Sequence, residues 1–185
     1  LNSVLPVNAA PQANTDTSNV SLTAGTSNGP AREAGGVSNG TAGADAVGNV
    51  LSNDTDSNGD ALKVTALGVS SASSNVASSS TSVSNGTAVT GLYGTLTLGA
   101  DGSYSYVVNN TNAAIQALRL TTNTLTDSFT YSIADPSGLS SNAKINIIIQ
   151  GANDNPIAAN DYNTAKESLL AAKESKRRIA RAVVR

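Results

Sequence analysis

Cysteine, methionine, tryptophan and histidine are absent from this 185-residue sequence. Without cysteine there is no disulfide and no thiolate metal site, and without histidine the chain lacks the commonest general base and zinc ligand. Acid–base chemistry without a cofactor would depend on aspartate, glutamate, lysine or tyrosine alone. The sequence therefore predicts a protein that is not an enzyme.

Charged and aromatic residues are scarce, at 13% and 3% of the chain, whereas an average soluble protein carries about 25% charge. The surface must be built mainly from serine, threonine, asparagine and glycine, which is typical of extracellular repeat proteins. No run of about 18 or more apolar residues predicts a membrane-spanning helix, and the segment from Leu1 does not have the pattern of a signal peptide. Because the chain begins without methionine, we expect a fragment or a mature product.

Short strand signals recur from residue 46 onward. Hydrophobic residues alternate clearly in two of them, at Phe129, Tyr131 and Ile133 and again at Ile145, Ile147 and Ile149. The six predicted strands are 46–51, 62–69, 93–98, 103–108, 127–133 and 143–149. Short antiparallel strands at this spacing predict an all-β fold, an immunoglobulin-type β-sandwich of about seven strands.

Other segments do not follow the strand rhythm. Residues 19–24 are a possible first strand within an entering linker, and the serine-rich segment 70–91 is expected to be a long loop or an irregular edge insertion. Ile115 and Leu118 are spaced for one helical turn that crosses between the sheets. Asp101 and Asp127 are expected to be turn and strand-edge residues.

Three segments resemble the VCBS repeat in order and spacing. They are EAGGVSNGTAGADAVGNVLSNDTDSNGDALKVTAL, YGTLTLGADGSYSYVVNN and LTDSFTYSIADPSGLSSNAKINIIIQGANDNP. These repeats occur in tandem in large secreted bacterial adhesins, beside cadherin-like domains. The resemblance implies a cadherin-like sandwich over 30–158, preceded by a linker over 1–29 and followed by a linker and tail over 159–185.

The segment DTDSNGD, residues 54–60, places oxygen side chains at alternate positions. Asp54, Asp56, Asn58 and Asp60 match the first half of an EF-hand calcium loop. The match fails at Thr65, which stands where that loop requires a bidentate glutamate, and the flanking segments read as strands. The segment is therefore not an EF-hand.

A sandwich would allow this acidic loop to be completed from elsewhere in the fold. The loop 54–60 and the loop 134–138 lie at the end where the chain enters, so Asp135 would approach Asp54, Asp56 and Asp60. Calcium takes six to eight oxygen ligands, and we expect it to bind here. The alternative is that these residues only form turns and that the acids are solvated.

The segment GANDNPIA, which follows the last predicted strand, resembles the calcium-binding linker between cadherin domains. The resemblance implies that Asn153, Asp154 and Asn155 belong to a second calcium site at the exit end. Glu33 is expected to join one of the two sites, as an early glutamate does in cadherin-like domains.

The C-terminal segment differs from the rest of the chain. Residues 166–185 carry a net charge of +5 and residues 1–165 a net charge of −7. Alanine, leucine, lysine, glutamate and arginine dominate from residue 164, which predicts a basic helix. The narrow apolar stripe comprises Leu169, Ala172, Lys176, Ile179 and Val183. The tail is a non-native or out-of-frame extension, a docking helix for a partner or a neighbouring subunit, or a helix that binds an anionic surface such as a membrane or nucleic acid. No aromatic residues interleave the basic ones, which argues against single-stranded nucleic acid.

The function expected from these observations is that of a calcium-stabilised spacer repeat in a bacterial extracellular adhesin, biofilm or surface filament protein. Its partners would be neighbouring repeats or copies of itself, with a cell-surface or matrix ligand as a further candidate, membrane contact only through the tail, and no nucleic acid. Two alternatives stay open. One is a self-assembling fibre subunit that docks through its N-terminal segment or C-terminal helix, and the other is a carbohydrate- or protein-binding module.

Overall fold

The computed structural model describes residues 7–154 and 169–178. The contacts divide the chain into two compact units, Leu1–Asn155 and Pro156–Arg185. In the second unit, residues 169–178 form a helix whose side chains are all exposed. None of the helices in the described ranges is long and apolar enough to cross a membrane.

The first unit is built almost entirely from strands. Within residues 7–154 the strands are β1 (Asp16–Thr17), β2 (Ala31–Arg32), β3 (Ala46–Asn49), β4 (Lys63–Gly68), β5 (Ser74–Asn75), β6 (Thr87–Thr90), β7 (Gly94–Leu98), β8 (Ser103–Val108), β9 (Thr124–Ala134) and β10 (Ser140–Gln150). Short 3-10 turns occupy Val37–Asn39, Val50–Ser52 and Val83–Asn85, and the helical turn α1 spans Ala113–Gln116.

The strands form two sheets that face each other. The first has the order β1-β10-β9-β4-β5, and the second has the order β3-β8-β7-β6. Strands β9 and β10 are antiparallel along their whole length, whereas β1 and β2 pair with β10 in parallel. Strand β10 has eleven residues, so the two ends of the sandwich are separated by about 35 Å at 3.3 Å per residue.

The core lies between the sheets and follows the alternation in the sequence. The inward side chains of β9 and β10 are completely buried: Phe129, Tyr131, Ile133, Ile145, Ile147 and Ile149. Burying an aliphatic or phenyl side chain of this kind stabilises the fold by about 1.5–3 kcal/mol. Tyr106 on β8 meets Phe129 edge to face, with ring centroids 6.1 Å apart. The predicted immunoglobulin-type sandwich is therefore confirmed.

The six predicted strands correspond to β3, β4 and β7 to β10, although residues 50–51 of the predicted strand 46–51 belong to the 3-10 turn Val50–Ser52. The possible strand over residues 19–24 is not observed. Residues 19–24 form turns, because the Asn19 side chain accepts a hydrogen bond from the Ser21 nitrogen and the Asn19 carbonyl accepts one from the Leu22 nitrogen. The first strand is Asp16–Thr17 instead. The segment 70–91 is not only a loop, since it contains β5 and β6, and β6 pairs with β7.

Candidate metal sites at the two ends of the sandwich

Three carboxylates meet where the chain enters the sandwich. Asp56 and Asp60 lie on the loop between the Val50–Ser52 turn and β4, and Asp135 begins the turn between β9 and β10. Each offers one oxygen, and the three oxygens lie within 4.8 Å of one another. We call these three residues the entrance cluster. Two carboxylate charges at about 4 Å repel by roughly 4 kcal/mol at an effective dielectric of about 20, so the arrangement favours a bound cation.

The loop shapes itself around Asp56. One oxygen of this side chain, Oδ1, accepts hydrogen bonds from the backbone nitrogens of Asn58 at 2.8 Å and Asp60 at 3.3 Å. Gly59 takes a positive φ of 78° to close the turn. The other oxygen, Oδ2, is buried and has no hydrogen-bond partner among the described residues. An unsatisfied buried carboxylate oxygen is costly unless a cation occupies the position beside it.

Asp135 is held firmly although it sits on a turn. Its side chain is only 6% exposed, and Oδ1 accepts from the backbone nitrogens of Ser137 at 2.8 Å and Leu139 at 3.0 Å. Burial acts to raise the pKa of Asp135, but these bonds and one from Asn8 outweigh it and lower the pKa below its usual value. Asp135 is therefore kept ionised and fixed in place.

Residues 8–14, which we call the entrance strap, cross over the acidic loop. Asn8 donates to Asp135 Oδ2 at 2.6 Å, and the Ala9 nitrogen donates to Asn58 Oδ1 at 2.7 Å. Gln12 exchanges two backbone hydrogen bonds with Thr55. The chain that enters the domain is thus attached directly to the residues of the cluster.

Asp54 lies beside the entrance cluster in a group of its own. Its Oδ1 accepts from the Asn14 nitrogen at 2.7 Å, and the Tyr131 hydroxyl lies 3.2 Å from Oδ2. The same hydroxyl lies 2.8 Å from Asp16 Oδ2. Burial, with the charge of Asp54, raises the pKa of Asp16 to about 7 against the effect of the Tyr131 bond. Burial raises the pKa of Asp54 and of Tyr131 as well.

Asp16 was not among the candidates drawn from the sequence. It stands alone in a polar segment, and only the parallel pairing of β1 with β10 brings it to Tyr131. The strand that contains Asp16 is only two residues long. No sequence signal of ordinary strength marks such a strand.

Glu33 and Asp154 come together at the opposite end. Glu33 is completely buried, and its Oε1 accepts from the Ala152 nitrogen at 2.7 Å. Glu33 Oε2 and Asp154 Oδ1 are buried without a hydrogen-bond partner within the described ranges. Burial raises the pKa of Glu33; the Ala152 bond and Arg119 lower it, and Asp154 raises it further. We call Glu33 and Asp154 the exit pair.

A cavity of about 430 Å³ adjoins the exit pair. Its lining includes Glu33, Thr41, Thr121 and Asn153. The Asn153 carbonyl accepts a hydrogen bond from the Gly36 nitrogen at 2.9 Å, so the exit segment is packed against the domain. Asn155, the remaining predicted ligand, lies outside the described residues.

The two other acids singled out in the sequence serve the fold. Asp101 accepts from the nitrogen and the hydroxyl of Ser103 at 2.9 and 2.5 Å, as expected of a turn residue. Asp127 is not at a strand edge. It is completely buried within β9 and accepts from the nitrogens of Leu92 and Tyr93 and from the Tyr106 hydroxyl.

The fold and these acidic ends define an immunoglobulin-like β-sandwich domain with acidic residues at both ends. Residues 8–151 match the family model described as the bacterial cadherin-like domain, and the chain therefore belongs to that family. This domain is a structural, non-enzymatic fold, which agrees with the expectation drawn from the missing histidine and cysteine. A search of curated proteins gave no match.

The residues of the entrance cluster fit calcium, and the exit pair offers part of a ligand set of the same kind. Carboxylate oxygens are the hard ligands that calcium prefers, in sets of six to eight that include backbone carbonyls and water. The entrance cluster offers three carboxylates and one orphaned oxygen, and the exit pair offers two orphaned oxygens. The described residues contain no histidine or cysteine that would favour a softer metal.

Proposed function

We propose that this domain is a calcium-stabilised structural spacer in an extracellular adhesin or surface filament of a bacterium. The observation that carries the proposal is the entrance cluster, in which Asp56, Asp60 and Asp135 converge within 4.8 Å and Asp56 Oδ2 is buried without a partner. A divalent cation there would replace mutual repulsion by attraction to three carboxylates.

Calcium would act on the direction in which the chain enters the domain. Asn8 and Ala9 of the entrance strap contact Asp135 and Asn58 directly. A metal that stiffens the acidic loop would therefore also stiffen the strap, and with it the angle to a preceding domain. Extracellular calcium modules bind at about 10⁻⁴–10⁻³ M, so calcium in the surroundings of a cell would fill the site.

The exit pair would extend the same principle to the following domain. Glu33 and Asp154 supply two oxygens beside an open cavity, which is too few for a closed calcium shell. The missing ligands would come from the residues after 154 and from the next repeat or another copy of this chain. Both junctions would then be rigid only in the presence of calcium, as a mechanical spacer requires.

Thermal melting in calcium and in chelator tests the proposal. The wild type should melt at a higher temperature in calcium, and Asp56→Asn combined with Asp135→Asn should remove most of that difference. Asp45→Asn is the matched control, because Asp45 is exposed and lies outside both groups. A wild-type melting temperature that is the same in calcium and chelator would contradict the proposal.

A fibre subunit is the second candidate function. It is favoured by the helix 169–178, where Leu169 and Leu170 are 61% and 66% exposed and no residue is buried. Its basic charge is complementary to the net charge of −7 in residues 1–165, so the helix would dock on another copy of the chain. Sedimentation velocity in chelator over a range of protein concentrations distinguishes the two functions. Without calcium a spacer should stay monomeric, whereas a fibre subunit that docks through its helix should still associate.

A further inference from the structure

Four asparagine–glycine pairs occur in the described part of the chain, at 28–29, 39–40, 58–59 and 85–86. In such a pair the glycine nitrogen can attack the asparagine side chain, because glycine has no Cβ to obstruct the approach. In all four pairs the glycine N–H donates a backbone hydrogen bond to the carbonyl three residues earlier. Breaking that hydrogen bond costs each of the four pairs a similar amount. Differences in reactivity between the pairs therefore come from the hydrogen bonds of the asparagine side chains and from solvent exposure.

Three of the pairs are restrained by the fold. The Asn85 side chain donates to the Ser79 carbonyl at 2.8 Å and accepts from the Ser82 nitrogen. Asn39 donates to the Asn110 carbonyl at 3.3 Å. Asn28 is only half-exposed and Gly29 beside it is buried, and a Cβ on Gly29 would lie 2.4 Å from the Thr23 carbonyl oxygen, so this pair is restrained by close packing.

The pair Asn58–Gly59 has different surroundings. Both residues are exposed, which is true of none of the other three pairs. No atom lies within 4 Å of the position that a Gly59 Cβ would occupy, so the glycine has room to move. The leaving nitrogen, Asn58 Nδ2, has no hydrogen bond to the described residues, while Oδ1 accepts one from the Ala9 nitrogen at 2.7 Å. That donor would stabilise the charge that develops on Oδ1 during attack.

We propose that Asn58 is a site of spontaneous deamidation, selected by the fold from the four pairs. The Gly59 nitrogen bonds to Asn58 Cγ, the Cγ–Nδ2 bond breaks, and the amide nitrogen leaves as ammonia with the proton of Gly59. Water then opens the cyclic imide at either carbonyl and leaves an aspartate or an isoaspartate at position 58. No oxidant, reductant or enzyme is needed.

The consequence for the entrance cluster rests on the proposed function. Asn58 lies between Asp56 and Asp60, so deamidation adds a negative charge to a group of carboxylates within 4.8 Å of one another. The added charge increases the repulsion without metal and the attraction to calcium with it. The domain would therefore become more dependent on calcium as it ages.

Peptide mapping of the intact chain by mass spectrometry, after incubation near neutral pH in chelator, tests the modification. Each event changes a peptide mass by the difference between a hydroxyl and an amino group, and isoaspartate is separated by chromatography. We expect Asn58 to react roughly tenfold faster than the fastest of the other three, the ratio produced by about 1.4 kcal/mol in a barrier. The same chain in urea is the control, where the four rates should approach one another.

Two results would contradict the proposal that the fold selects Asn58 for deamidation. One is a second asparagine–glycine pair that reacts as fast as Asn58 in the folded protein, and the other is a lead of Asn58 that persists undiminished in urea. The consequence is read separately from the melting temperature of Asn58→Asp, which should fall in chelator and rise more steeply with calcium than that of the wild type. An unchanged response to calcium would overturn the consequence while leaving the modification intact.

Discussion

The hydroxyl of Tyr106 donates a hydrogen bond of 2.9 Å to Oδ2 of Asp127, and this bond joins the two sheets. Tyr106 lies on β8 of the four-stranded sheet, and Asp127 lies on β9 of the other sheet. Both side chains are completely buried. The same carboxylate accepts from the nitrogens of Leu92 and Tyr93 in the turn between β6 and β7, so one acid organises both the sheet packing and a connection.

Asp127→Ala should be strongly destabilising. It would leave the Leu92 and Tyr93 nitrogens and the Tyr106 hydroxyl without their acceptor, and hydrogen bonds to a charged group contribute about 1.5–3 kcal/mol each. We expect a loss of about 4 kcal/mol in the free energy of unfolding, measured by urea denaturation. Asp101→Ala is the control, because that exposed side chain accepts only from Ser103 in its own turn, and a loss as large there would contradict the assignment.

Asp16→Asn should make stability less sensitive to pH. The folded-state pKa of about 7 lies above the unfolded value of 3.8, so the folded state binds the proton more tightly. The contribution of this group to stability is complete below the unfolded pKa and is lost as the pH rises through the folded pKa. Asparagine keeps an acceptor for Tyr131 without the charge. The free energy of unfolding of the variant, relative to that of the wild type, should therefore increase as the pH rises.

Urea denaturation of both proteins in chelator at about pH 5 and about pH 8 measures this difference. The gain should be larger at the higher pH. A gain of the same size at both pH values would show that Asp16 does not titrate in this range, and would point to packing as the cause.

Glu33→Gln should distinguish the contribution of the exit pair to stability from that of the entrance cluster. The buried carboxylate has one unpartnered oxygen and faces the charge of Asp154, so the neutral amide should raise the melting temperature in chelator. It should also reduce the calcium-induced rise only in part, because the entrance cluster is untouched. A variant that melts below the wild type in chelator would contradict this view of the exit pair.

Asn8→Asp tests whether the entrance strap is energetically coupled to the entrance cluster. The change replaces the hydrogen-bond donor to Asp135, now 2.6 Å away, by a fourth carboxylate. The variant should melt below the wild type in chelator, and calcium should recover the loss by bridging the added oxygen. Asn19→Asp is the control, because Asn19 is exposed and its side chain only accepts a hydrogen bond, from the Ser21 nitrogen, so aspartate keeps that bond and adds the same charge outside both groups.

The β-sandwich itself was predictable because its signals are local. The alternation at Phe129, Tyr131 and Ile133 fixes which face of β9 is buried, and a strand that slips by one residue would turn this face to the solvent. The two-residue strands β1 and β2 were not predictable. Their hydrogen bonds come from the edge of β10, which is more than a hundred residues away.

The candidate sites were predictable in part. The spacing in DTDSNGD identifies an acidic loop, and the topology of a sandwich places Asp135 near it. The sequence does not reveal that Asp54 turns to Tyr131 while Asp56 turns to the cluster, because alternate residues of an irregular loop need not share a face.

The hexapeptide VSNGTA occurs twice, at 37–42 and 83–88, and shows the limit of local sequence. In the first copy Ser38 and Asn39 have positive φ values of 52° and 58°, and Asn39 binds the Asn110 carbonyl. In the second copy the corresponding residues do not have positive φ; Ser82 and Asn85 form a capping box, and the chain continues into β6. The same six residues therefore take two backbone conformations.

The sequence by itself determined the class of the fold, the buried faces of the long strands and the acidic character of the ends. These features depend on hydrophobic periodicity and composition, which are local properties and can be read from the sequence. Only the tertiary structure decided which carboxylate oxygens converge, that Asp127 is buried and bonded between the two sheets, and that Asn58 is left exposed. Those outcomes depend on partners far apart in sequence, and their geometry exists only once the sheets have packed.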